Sequence, residues 1–140
     1  MGNLTVELSV SKNDLPDYLV YLEKAGLIAQ LRDDTGGLRG LGKVEKIFID
    51  NTNLMYALKG RNTNIGSVRE TFFYNRMRIN NDVIAAKSTD FRIADYIFEV
   101  GGEKKGQRQL ENNPNGIVVR DDIEYGHANI LPLWHFGLNY

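Results

Sequence analysis

The spacing of apolar and polar positions becomes interpretable at Ser11–Asp14, which offers several helix-capping residues. Leu15, Leu19 and Leu22, with Tyr18 and Ile28 nearby, follow at the three- and four-residue intervals of one helix face. Pro16 stands where a first-turn proline is tolerated, and Gly26 supplies a C-terminal stop. Leu27–Leu31 then reads as a strand, Asp33–Gly37 as a turn-rich connection, and Lys46–Asp50 as the returning strand. A helix followed by a two-stranded wing is the second half of a winged helix. Asp50–Asn53 caps a short helix through Leu54, Met55, Ala57 and Leu58, which Gly60 ends, and Arg61–Gly66 is a polar loop. From about Ser67 to Ile79, Val68, Phe72, Phe73, Met77 and Ile79 are spaced as the buried face of a second helix.

After residue 80 the period becomes that of strands. Asn80–Asp82 is a turn, Val83–Ala86 a strand, and Asp90–Ile93 another, with Ala94–Asp95 a tight turn before Tyr96–Val100. Within the latter, Tyr96, Phe98 and Val100 share one face while Ile97 and Glu99 share the other. Gly101–Gly102 breaks this strand. Gln107–Leu110 reads as a short helix start, Asn112–Gly116 as a loop, and Ile117–Arg120 as a strand parallel to 96–100, given the length of the crossover. Asp121–Glu124 is an acidic run expected in solvent. Ile130–Leu138 carries the single tryptophan and is expected to dock on the core; its rival reading is an exposed homodimer surface around Trp134.

Composition narrows the picture without pointing to a function. At 140 residues, 42% hydrophobic and 25% charged, the chain suits one ordinary globular domain or two very small ones. A formal net charge of -1 means that any nucleic-acid binding would need a local patch. The absence of cysteine excludes disulfides and thiolate metal sites and fits a reducing cytoplasm. No apolar run approaches a membrane span of roughly 20 residues, so no membrane partner is expected.

Candidate chemistry is thin in the first half. Used as a recognition helix, Asp14–Lys24 would present Asp17, Glu23 and Lys24, too few cations for a phosphate-facing surface, so a packing role is expected. Gly37–Lys43 has phosphate-loop spacing, but Val44 stands where a magnesium-binding hydroxyl belongs and a strand follows instead of a helix. No ATP site is expected here. His127 and His135 are too far apart and too unaccompanied for zinc.

The second half is more suggestive. Glu99 alternates with strong core formers, so its carboxylate should be partnered. Glu70 reads as a first-turn carboxylate favoured by the helix N-terminus, unless it faces Asp90 and Glu99. Converging, these three acids would be oxygen ligands for magnesium or manganese, with Asp90 and Glu99 as the metal ligands, in a site able to activate water against a phosphodiester. Such a site also needs a cation, usually a lysine two residues beyond the second acid. That position is Gly101, and Lys104 or Lys105 could substitute only if the loop folded back.

With these residues in view, the chain resembles the C-terminal domain of unknown function in a large prokaryotic family of AAA-type ATP-binding proteins. The resemblance rests on Tyr18–Ile28, Lys46–Leu54, Gly66–Glu70, Asp90–Phe91, Phe98–Gly102 and Ile130–Trp134, in that order along nearly the whole chain. It implies an α/β (α+β) fold: a winged-helix-like part over residues 1–60, then a small restriction-endonuclease-like mixed sheet flanked by helices over 61–140. It also implies a cytoplasmic accessory or interaction module whose ATPase module lies elsewhere in the same polypeptide, with DNA as a further partner. Glu70, Asp90 and Glu99 match the nuclease-type acidic triad. Family members with a glutamate-x-lysine motif carry lysine where this chain has Gly101, so the first expectation is a module without catalysis. A magnesium-dependent nuclease using Glu70, Asp90, Glu99 and Lys104 or Lys105 is its enzyme rival, and a structural dimerisation module is a third reading.

Overall fold

In a computed structural model the described residues are 11, 13–35, 42–106, 110 and 113–139. Helix α1 (Leu15–Lys24) buries Leu15 and Leu19 against Ile28 and Ile49 of a hairpin formed by β1 (Ile28–Arg32) and β2 (Val44–Ile49). Gly26, at φ +69°, ends the helix as expected, because only glycine enters the left-handed region without strain. The apolar stripe is narrower than its spacing implied: Tyr18 and Leu22 are exposed. Glu23 departs from expectation more sharply. Its carboxylate turns inward and accepts from the backbone N–H of Gln30 at 3.0 Å and from Gln30 Nε2 at 2.9 Å, so it is not on an open recognition surface. The stretch 36–41, which holds most of the phosphate-loop-like spacing, lies outside the described residues.

Helix α2 (Thr52–Lys59) begins at Asn51, whose Oδ1 accepts from Leu54 N at 2.9 Å. Helix α3 spans Ile65–Met77, starting two residues before the sequence suggested because Asn64 caps it by accepting from Ser67 N at 3.0 Å. Its inward face also differs: Thr71, Phe73 and Tyr74 are buried, while Ile79 lies beyond the helix and is 55% exposed.

Five strands form the main sheet in sequential order: β3 (Val83–Ala85), β4 (Phe91–Ile93), β5 (Tyr96–Gly101), β6 (Gly116–Arg120) and β7 (Ile130–Pro132). The first three pair antiparallel, through a tight turn at Ala94 (φ 50°), and the last two pairings are parallel, the β5–β6 one as expected. Gln107–Gln109 of the expected short helix lie outside the described residues. The fold is therefore mixed α+β with two sheets and several helices.

The largest core cluster joins both sheets. Phe73 of α3 is fully buried among Phe91, Phe98 and Phe136, while Phe48 of β2 packs on Tyr74 and Phe91 with ring centroids 4.9 and 5.9 Å apart. The cluster thus draws on residues from both sides of position 60. At the C-terminal end a 3-10 helix (Leu133–Leu138) buries Leu133 and sets Phe136 edge-on to Phe73, but leaves Trp134 51% exposed. Only part of the tail docks, with the tryptophan outside. None of the described helices is long and apolar enough to cross a membrane.

Candidate functional site

The earlier start of α3 changes what Glu70 can be. Counted from Asn64 it lies in the second turn, beyond the concentrated positive end of the helix, so the dipole reading fails. It instead shares a face with Phe73, Tyr74 and Met77, at three-, four- and seven-residue spacing, which turns it toward the sheets. There its carboxylate forms an ion pair with Lys46 of β2. Both residues line a cavity of about 210 Å3 between β2, α2 and α3, with Phe48 and Met55 as apolar lining.

Asp90 directly precedes β4. Its backbone N–H donates to Phe98 O at 3.2 Å, and its Oδ2 accepts from Val100 N at 2.7 Å. The side chain therefore extends the ladder just before β4 begins, which fixes the carboxylate beside Val100 near the end of β5. Glu99 projects from that segment and is only 3% exposed.

The lysine question turns on the residues that follow. Lys105 forms an ion pair with Glu99. It reaches the acid because the chain folds back after Gly102, with Lys105 N donating to Gly102 O at 2.9 Å. A Cβ on Gly101 would lie 2.6 Å from Lys105 Cδ and 2.8 Å from its Cβ. The stem of Lys105 thus fills the space a side chain at 101 would take, on the same strand face as Glu99. Gly102 makes room in turn for Arg69 of α3, whose Nη1 would be 3.0 Å from a Cβ there. Arg69 continues to Asp121 and Asp122, each at 2.9 Å. The acidic run expected in solvent is consequently half enlisted in pinning this turn. Lys104, by contrast, is exposed in the turn and is not brought to the acids.

Burial pushes the Glu99 carboxyl above its usual range, and nearby Asp90 and Glu70 add to the rise against the hydrogen bond from Lys105. For Lys105, burial opposes the charged form, but the hydrogen bond and charge of Glu99, with Asp90 and Glu70, outweigh it and hold the ammonium above its ordinary value. The four predicted residues Glu70, Asp90, Glu99 and Lys105 therefore share one electrostatic neighbourhood. Three carboxylates meet the two ammonium groups of Lys46 and Lys105, which leaves one negative charge over.

No protein-family model, curated protein or solved structure matches the chain. Among the described residues, no group of three acidic or histidine side chains stands ready to hold a metal ion, and Glu70 is paired with Lys46. Asp90 and Glu99 are nonetheless hard oxygen donors side by side, and magnesium is commonly held by one or two carboxylates with water and phosphate oxygens completing the shell. In donor chemistry the pair fits such an ion.

Sequence reasoning missed three contributors: Lys46, Arg69 and Arg120. Lys46 shares a β2 face with buried Phe48, between exposed Glu45 and Ile47, and carries no motif. Arg69 and Arg120 act through tertiary contacts that local spacing does not encode. One signal was available, because two adjacent glycines in a strand end imply that something approaches closely.

Proposed function

We propose that this chain is the C-terminal accessory module of an AAA-type ATP-binding protein, and that its α/β part holds a nuclease-type, magnesium-dependent site for phosphodiester cleavage. The observation that carries the catalytic part is the ammonium of Lys105 on Glu99, delivered by a stem lying across Gly101. It removes the main chemical objection, the missing lysine, by supplying the cation from four residues further along. The mixed sheet flanked by helices supports a restriction-endonuclease-like reading of residues 61–140, and the α1–β1–β2 unit supports a winged-helix-like reading of the part before 60.

In this site Asp90 and Glu99 would hold the divalent ion, which when bound supplies Lewis-acid polarisation of the phosphate and a more acidic water. Val100 N fixes the Asp90 carboxylate, so that its direction does not depend on the ion. Lys105 offers a hydrogen-bond donor and a positive charge where negative charge develops on the scissile phosphate. Glu70, anchored by Lys46, adds the negative field that favours a cation in the cleft.

Incubation with plasmid and magnesium tests this. Cleavage is expected for the natural chain, lost in Asp90→Ala and Glu99→Ala, and lowered roughly 100-fold or more in Lys105→Met, the scale of removing one preorganised donor. Absence of cleavage, or equal cleavage by the variants, rejects catalysis.

A second reading, binding without chemistry, has an observation of its own in its favour: each carboxylate already has an internal partner. It expects salt-sensitive DNA binding at about 50 mM salt with no cleavage and no response to Lys105→Met in product formation.

A further inference from the structure

We infer that Arg120 is the positioning residue of this site: its guanidinium grips the backbone carbonyl of Lys105 and so fixes the turn that lays Lys105 across Gly101 onto Glu99. The inference takes Lys105 as the site's cation and rests to that extent on the reading above.

The geometry begins with strand register. Gly101 of β5 stands opposite Arg120 of β6, so Arg120 leaves its strand directly beside the point where the chain turns. Both Nε, at 2.9 Å, and Nη2, at 2.7 Å, donate to the single carbonyl oxygen of Lys105. Asp121 N adds a bond to Gly101 O at 2.8 Å and carries the parallel ladder one residue further. The near side of the turn is held separately, by Arg69 lying over Gly102 and pairing with Asp121 and Asp122.

A turn closed only by Lys105 N on Gly102 O fixes one end of the loop and leaves the direction of the Lys105 side chain open. The fork of Arg120 fixes the carbonyl at the other end of the same residue, and with it the plane from which the stem departs. Arginine is suited to this because its donors are held rigidly in a plane; lysine has one mobile ammonium. Arg120 directs two donors to an uncharged oxygen, while Glu99 and Glu70 are served by lysines. That division of labour is what a positioning role requires.

The test uses the whole chain with 15N-labelled lysine and reads the ammonium resonance of Lys105, which slow solvent exchange should make visible when it is ion-paired. In the natural chain this resonance is expected to be resolved. In Arg120→Lys it should broaden into the fast-exchanging pool while the protein still unfolds cooperatively. A second pair of variants moves the cation onto the strand itself. In Gly101→Lys/Lys105→Gly the space now taken by the Lys105 stem is vacated, and the new ammonium at 101 should give a slowly exchanging resonance that adding Arg120→Lys leaves unchanged. Where cleavage is measurable, Arg120→Lys should lower kcat at least tenfold with little change in KM, and the triple variant should not respond.

An unchanged Lys105 resonance in Arg120→Lys would overturn the inference, and so would failure of the triple variant to fold where the double variant folds, since Arg120 would then serve the fold and not the lysine. Neither readout needs turnover. A protein that never cleaves DNA but loses its Lys105 resonance in Arg120→Lys keeps this inference while the nuclease reading falls.

Discussion

Tyr74 joins two elements through one buried hydroxyl. Its hydroxyl donates to Gln30 O at 2.8 Å, tying α3 to β1, and burial pushes the phenol up to about 12. An acid whose folded value lies above its ordinary value of 10.0 contributes stability that is complete below pH 10 and lost as pH rises through 12. Tyr74→Phe should therefore cost about 1 kcal/mol at pH 8, the net worth of one hydrogen bond. Near pH 11.5 the variant should be the more stable protein, because the two-unit displacement is worth roughly 2–3 kcal/mol. Urea titrations at both pH values check this, and a difference that does not change with pH would count against it. At this scale some of the site was legible and some was not. Glu99 announced itself by standing among core formers, and the need for a partner followed from burial alone. Which of Lys104 and Lys105 would be that partner did not, because the path of Lys105 depends on Arg120, fifteen residues away in sequence.

At the scale of elements, strands β3, β4, β5 and β6 could be read because alternation and glycine breaks are local signals, and the parallel pairing followed from the crossover length. Helix α3 starts earlier than its spacing suggests for an equally local reason. Ser67 is a good cap by type, but the side chain of Asn64 reaches Ser67 N and begins the helix sooner. Asn64→Ala should lower stability by about 1 kcal/mol in denaturant unfolding, whereas Ser67→Ala, inside the helix, should change it far less. Equal effects would mean that the cap is misassigned. The two-residue shift decides the role of Glu70, since it moves that acid off the helix dipole and into the ion pair with Lys46. Strand β7 had no such signal: three residues ending in proline do not establish a period.

For the molecule as a whole, the aromatic cluster joining Phe48 to Tyr74 and Phe91 ties the hairpin to the main sheet. Phe48→Ala should destabilise by about 3–5 kcal/mol, as truncation of a buried phenylalanine does. Calorimetry should show one lowered transition, whereas two separated transitions would mean that the parts before and after residue 60 unfold independently. The same architecture orders events in time. Lys105 is close to Glu99 in sequence, and contacts between neighbours in sequence form early. The grip of Arg120 on Lys105 must wait for β6 to complete a parallel crossover, a slower and non-local step. Until residue 120 has emerged and paired, the Glu99–Lys105 pair thus lacks the grip on the Lys105 carbonyl. A late, long-range contact thus aims a lysine that the local chain already supplies.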